Sequence, residues 1–482
     1  MPIAARYTPD PVFEKLGPEF ADPVTPARFP QHILRWRNQV WAARVGLEAL
    51  SEAEWEAHFA GFAPLPGNML SPLAMRYHGH QFRTYNPAIG DGRGFLFAQL
   101  RDEAGRLLDL GTKGSGQTPH SRFGDGRLTL KGGVRELLAA EMLDALGVYT
   151  SKAFSLFETG EALRRGDEPS PTRSSVLVRL SHSHIRFGTF QRLAYFERPD
   201  LMHTLLEHCA RAYFPELLQL TGEALAGGVL ERVAREAGRL AASWMAAGFV
   251  HGVLNTDNLT ITGESFDYGP WRFLPTSDPS FTAAYFDETG LYAFGRQPEA
   301  VSWALAQLGG ALSLISPIAP LEAALSRFAP SYQAGLRASI FNRLKLRSGD
   351  LESDLAFTRT LFDWLTQSQA GWDQFFHDWV GGEASAARAG ESPQAALYRS
   401  EDFMEIRRGL EARTRDDLAS FLARPYLQRS LPATMLIDEV ERVWAAIAEH
   451  NDWSPLEAKL VDLGEMREAL GLSCHQFVVG GA

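Results

Sequence analysis

Cysteine is nearly absent from this chain: two in 482 residues, Cys209 and Cys474. So few exclude a disulfide framework and a cysteine-rich zinc site; two plain thiols suit a reducing compartment. No uninterrupted apolar run approaches the ~18 residues of a membrane span. The N-terminus, Met-Pro-Ile-Ala-Ala-Arg-Tyr-Thr-Pro-Asp, lacks the apolar stretch of a secretory signal. Lysine is scarce beside arginine and alanine is abundant, a bias of a GC-rich genome more than a functional signal. The net charge of −11 argues against a broad nucleic-acid or membrane surface, while leaving room for a local basic pocket. The expectation is a soluble cytoplasmic protein with no nucleic-acid or membrane partner.

Hydrophobic residues make up 45% and charged residues 22%, an ordinary globular balance in a chain long enough for two or three domains. Residues 1–75 are rich in proline and aromatics. They read as a packing extension, with a helix over Pro30–Leu47 and another starting at Ser51, where Glu54 completes a capping box. From Tyr77 the texture changes. Gly90-Asp91-Gly92-Arg93-Gly94 is a glycine-rich loop before a strand over Phe95–Leu100, and turn residues Asp102–Arg106 lead to a returning strand, Leu107–Lys113. A second loop, Gly114–Gly126, carries Arg122 and Asp125. Val134, Leu137, Leu138, Met142 and Leu146 share one face of a helix, and Gly147 suits its C-cap. Glu136, in the first turn, either answers the helix dipole or pairs with Lys113.

Ser175–Leu180 is a further strand candidate; Arg179 stands near its end and Arg186 follows seven residues later. Arginines beside a buried strand need anionic partners: structural carboxylates or phosphate oxygens. Leu201–Leu218 and Glu223–Ala247 read as long helices, and the chain beyond Pro298 is almost wholly helical. Gly381–Ser392 is the best linker candidate, and Trp364, Trp372, Trp379 and Trp444 look like core.

The informative stretch is His251–Pro270. Kinases carry His-x-Asp, an Asn five residues after that Asp, then an Asp-Phe-Gly turn. Here His251 and Asn258 keep the spacing, and Asp267-Tyr268-Gly269 stands for the metal-binding turn. Val253 occupies the position of the kinase base and cannot accept a proton. Asn258 and Asp267 are oxygen ligands of the kind Mg²⁺ takes. Asp257, beside Asn258, either replaces the base or caps the loop. Lys113, Arg93, Arg179 and Arg186 supply more positive charge than one kinase lysine, enough to hold a triphosphate in another orientation with the α-phosphate at the metal. Attack there would transfer a nucleotidyl group.

These pieces together resemble the SelO (YdiU) family of pseudokinase-fold protein adenylyltransferases. The similar segments include Gly79-His80-Gln81-Phe82, Gly90–Arg93, Lys113–Gly116, Gly124–Arg127, Arg135-Glu136, Ile185–Phe190, His251–Leu259, Asp267–Pro270 and Tyr292–Pro298, in family order over about residues 77–300. The resemblance implies an α+β, protein-kinase-like bilobal fold: an N-lobe over 76–192, a mainly helical C-lobe over 193–380, and a linker with a helical C-terminal extension over 381–482. It implies transfer of AMP from ATP, or UMP from UTP, to Ser, Thr or Tyr hydroxyls of proteins. It gives Asp257 as proton acceptor, Asn258 and Asp267 as ligands of Mg²⁺ or Mn²⁺, and Glu136 as support for Lys113. It gives Gly90, Gly92, Arg93, Lys113, Asp125, Gly126, Arg179 and Arg186 as nucleotide-binding residues. The alternatives are a kinase-like phosphotransferase and an inactive nucleotide-binding scaffold. Departures from the family pattern are Arg83 in place of Gly, Gln117 in place of Arg, and Lys131-Gly132-Gly133 in place of a Ser-rich run. Ala283 stands where the family has a redox cysteine, so Cys474 lacks that partner and no disulfide control is expected.

Overall fold

The computed structural model describes residues 4–166 and 168–472; Cys474 lies outside them. Seven strands form the main path of an antiparallel sheet: β1 Ala21–Pro23, β2 Ile33–Arg37, β3 Leu73–Met75, β4 Leu96–Arg101, β5 Leu107–Lys113, β6 Lys152–Leu163 and β7 Thr172–Ser181, in the order β1-β3-β4-β5-β7-β6-β2. Thr8–Pro9 adds to β4 and Leu128–Thr129 to β7. The helices that matter for the site are α1 Glu52–Phe59, α2 Leu130–Ala145, α3 Phe187–Tyr195, α4 Gly222–Ala247, α5 Phe328–Leu344 and α6 Ser454–Leu470. The fold is α+β, a curled antiparallel sheet followed by a long helical portion.

Period-two alternation explains how the sheet is covered. Val176, Val178 and Leu180 of β7 join one buried cluster with Trp55 and Phe59 of α1. Leu177 joins the other, with Val134, Leu137 and Leu138 of α2. Burying each large side chain in these clusters contributes roughly 1.5–3 kcal/mol. The Ser51–Glu54 capping box starts α1 as expected. Helix α2 begins four residues earlier than the apolar face alone predicts, because Thr129 accepts from the Gly132 N–H. Helix α4 packs against α5, and α6 returns to α2, where Arg467 pairs with Glu141 and with Asp144 at 2.8 Å.

Two expectations are corrected. Pro30–Leu47 is not one helix. Ile33–Arg37 forms the sheet edge, with Leu34 opposite Phe157 and Arg37 opposite Ser155. Asn38 then accepts from the Trp41 N–H and opens a short helix, Gln39–Arg44. Strand pairing overrides local helix propensity here. Gly381–Ser392 is likewise no free linker. It folds into short helical turns with Ser385 and Ala389 buried, and the Arg388 guanidinium donates to the carbonyls of Leu427 (2.6 Å) and His377 (2.5 Å). Its small residues serve close packing. Trp364, Trp372 and Trp379 are core, and Trp444 is half-buried. Among the described residues no helix is long and apolar enough to cross a membrane.

Candidate active site

The end of β5, the glycine-rich loop before β4, the loop after β5, and the two segments of His251–Pro270 line a cavity of about 690 Å³. Its lining includes Gly90, Gly92, Arg93, Lys113, Asp125, Gly126, Arg179, Arg186, Asp257 and Asp267. Glu136 and Asn258 stand just behind the wall: Glu136 meets Lys113 Nζ, and Asn258 Nδ2 donates to the Val253 carbonyl at 2.9 Å. Eight Lys or Arg side chains line the cavity against four Asp. A strongly basic pocket thus sits in an acidic chain, arranged for an anion.

Asp267 is the electrostatic centre. Its Oδ1 accepts from Lys113 Nζ at 2.7 Å and Arg179 at 3.3 Å, and its Oδ2 from Arg186 at 3.4 Å. Burial alone would raise this carboxyl; Lys113, Arg179 and Arg186 outweigh burial and hold it well below the usual carboxylate range. Its backbone is left-handed, φ +64°, an unfavourable state for a residue with a Cβ that the surrounding ion pairs maintain. The anionic partners of Arg179 and Arg186 are therefore the site's own carboxylates, and Arg186 also donates to the Asp257 carbonyl at 2.7 Å.

Asp257 has the opposite character. It lies on a short 3-10 turn, Thr256–Asn258, and burial raises its carboxyl from 3.8 to about 6 against the lowering effect of Arg186. Its Oδ1 is buried without a hydrogen-bond partner among the described residues, and so are the Nε atoms of Arg179 and Arg186. Buried polar atoms left unpaired at one cavity point to groups awaiting a ligand. His251 faces away: its Nε2 meets the Phe266 carbonyl at 3.1 Å, tying the loop to the turn before Asp267.

The glycine-rich loop is roofed by the segment after β5. Thr118 Oγ1 donates to the Asp91 carbonyl at 2.5 Å, and Ser121 Oγ donates to that of Gly92. Gly126 permits this crossing: φ is +70°, and a Cβ there would lie 2.2 Å from the Gly116 carbonyl carbon. Gln117 helps, donating to the Gly124 carbonyl at 2.8 Å. Asp125 is turned toward Arg165, 2.8 Å away, and is exposed. Lys131 pairs with Glu441 at 2.7 Å. Ala283 packs near Gly252.

Sequence reasoning missed Asp91, Tyr77, Gln81 and the rim arginines Arg122, Arg127, Arg164 and Arg165, all of which line the cavity. Asp91 accepts from Arg186 at 3.2 Å, and through Arg186, which also donates to the Asp257 carbonyl, the glycine-rich loop is tied to the Thr256–Asn258 turn.

A cation-rich cleft under a glycine-rich loop, with one carboxylate held ionised and another kept basic, is the equipment of a group-transfer enzyme for phosphorylated substrates. Residues 3–463 match the family described as "Protein adenylyltransferase SelO". The chain is 46% identical over 461 residues to the protein nucleotidyltransferase YdiU of Gloeobacter violaceus, covering 92% of each chain. It is 45% identical over 465 residues to that of Synechococcus elongatus, covering 94% of each. To that of Pseudomonas putida it is 34% identical, over 86% of this chain and 82% of the relative. The chain belongs to the SelO family, and it is an enzyme, a nucleotidyltransferase.

Proposed function

We propose that this protein transfers AMP from ATP to Ser, Thr or Tyr hydroxyls of other proteins, releasing pyrophosphate, and that UTP serves as a second donor of UMP. The observation that carries this reading is Asp257: a buried carboxylate in the cavity lining, four residues beyond the kinase-base position that Val253 fills, with no hydrogen-bond partner on Oδ1 among the described residues. At about 6 it is ionised at neutral pH yet basic enough to take a proton. The acceptor hydroxyl gives its proton to Asp257 as its oxygen bonds to the α-phosphorus. The bond from the α-phosphorus to the bridging oxygen breaks, and pyrophosphate leaves. Lys113, Arg93, Arg179 and Arg186 bind the triphosphate oxygens, Asp125 and the backbones of Gly90, Gly92 and Gly126 complete the nucleotide site, and Glu136 holds Lys113.

The fold proposed with this chemistry is kinase-like and bilobal, with residues 76–192 as N-lobe, their sheet extended by β1, β2 and β3 from the first 75 residues, and the helices over 193–380 as C-lobe. The location proposed for it is the cytoplasm. Mg²⁺ or Mn²⁺ fits as a partner of Asn258 and Asp267. Among the described residues no cluster of three or more His, Cys, Asp or Glu forms a dedicated cage. Magnesium sites built from one or two oxygen ligands plus substrate phosphates need none. The Asn258 amide is oriented by its Nδ2 bond to Val253, which leaves Oδ1 to ligate. A bound cation supplies neutralisation of phosphate charge.

The test compares α-labelled with γ-labelled ATP. Label reaching protein from the α position alone supports the reading, and α-labelled UTP run in parallel tests the second donor. Label from the γ position supports a phosphotransferase instead. No transfer, with ATP still raising Tm, supports a scaffold.

A further inference from the structure

The hairpin Gly79–Gln81/Thr84–Asn86 belongs to no other sheet, and its Gly-His-Gln-Phe run has no role in the chemistry above. It leans on the catalytic loop. The Thr256 hydroxyl accepts from the His80 N–H at 2.7 Å and donates to Gln191 Oε1 on α3 at 2.6 Å. Gln191 Nε2 closes the triangle on His80 Nδ1 at 2.7 Å. One residue earlier, Asn255 Oδ1 accepts from the Phe82 N–H at 3.0 Å and from the Tyr292 hydroxyl at 2.9 Å. Thr256 is fully buried, with Asn255 and Gln191 nearly so. Three separate elements thus grip the two residues before Asp257. The hairpin also touches Asp257 itself, since a Cβ on Gly79 would lie 3.0 Å from its Oδ1.

The hairpin keeps an unfavourable backbone to do this. Its register leaves a two-residue turn, Phe82-Arg83, and both residues are left-handed, φ +49° and +64°. Turns of that kind favour Asn-Gly. Here the strained pair is held by the Asn255 bond, by Arg83 on Glu299 at 2.9 Å, and by the Phe82 ring packed at a tilt against Tyr292, centroids 5.0 Å apart. Strain maintained by surrounding contacts beside a reacting group marks a functional constraint.

We infer that Thr256 is a positioning residue: its hydroxyl, clamped between His80 and Gln191, fixes where the Asp257 carboxylate stands relative to the cavity. Thr256 itself is absent from the cavity lining. The inference rests on Asp257 being the proton acceptor. Misplacing a reacting group by about 1 Å costs roughly 100-fold in rate. Thr256→Val keeps the shape and removes both bonds; Thr256→Ser keeps them. In the α-label assay Thr256→Val should lower kcat by roughly 10- to 100-fold, with KM for ATP and the ATP-induced rise in Tm unchanged. Thr256→Ser should restore kcat to near wild type. Amide hydrogen exchange, which needs no activity, should rise in both 79–86 and 255–258 in Thr256→Val and stay at the wild-type level in Thr256→Ser. Unchanged kcat in an active Thr256→Val enzyme, or KM and kcat moving together, overturns the inference. So does unchanged exchange, whether or not the wild type transfers label. Absence of α-label transfer by the wild type refutes the proposed reaction and leaves exchange to judge the clamp.

Discussion

Asp257→Asn should make this protein more stable while it makes it inactive. Burial raises the folded carboxyl to about 6 from 3.8. Between those values the native state holds a proton that the unfolded chain has lost, so the wild-type contribution to stability falls as pH rises through about 6. One pKa unit is about 1.4 kcal/mol, so the penalty at pH 8 is about 3 kcal/mol and at pH 5 about 1.5 kcal/mol. Asn keeps the shape and has no charge to desolvate. The gain in stability from Asp257→Asn should therefore roughly double between pH 5 and pH 8. Urea unfolding of both proteins at the two pH values measures it, with α-label transfer assayed on the same preparations. A variant no more stable than wild type, or a gain independent of pH, would refute the argument that Asp257 is a desolvated carboxylate kept for chemistry at the expense of stability.

Three further predictions test other parts of the site. Lys113→Met takes the close partner from buried Glu136 (3% exposed), which keeps Arg179 at 4.0 Å; it should cost up to about 3–5 kcal/mol in urea unfolding, and Lys113→Met/Glu136→Gln should recover part of that. Gly126→Ala forces a Cβ toward the Gly116 backbone at an unfavourable φ, so the roof over the glycine-rich loop shifts and KM for ATP should rise at least several-fold in a steady-state assay. Ser51→Ala removes one side of the capping box on α1 and should cost about 1 kcal/mol by urea midpoint without changing transfer kinetics.

The parts of the fold and site carried by local signals were legible. Leu107–Lys113 was readable residue for residue because the turn residues Asp102–Arg106 mark where the returning strand starts. The helix carrying Glu136 was readable from one apolar face. Pro30–Leu47 was not, because its strand exists only by pairing with β6, more than a hundred residues away. The same holds in the site. Lys113 and Asp267 stand in motifs with fixed spacing, whereas Gln81 reaches the cavity from a hairpin outside the main sheet, and Asp91 and the rim arginines from loops, all on paths that depend on tertiary contacts. The compact fold of Gly381–Ser392 was hidden because the small residues that suit a linker also suit close packing.

Both margins of the sheet come from one short piece of chain. Strands β1 and β2 are nine residues apart in sequence and lie at opposite ends of the seven-strand path. The segment between them passes the strand ends, with the Ala27 N–H on the Ser115 carbonyl at 2.8 Å and the Gln31 N–H on that of Thr159 at 3.0 Å. During synthesis Ile33–Arg37 leaves the ribosome about 120 residues ahead of its partner β6, a wait of roughly 6–24 s at 5–20 residues per second. Throughout that interval the first segment made has nothing to pair with. The wall of the cavity beside Lys113 forms later still, when β7 has emerged and Leu177 can pair with Lys113.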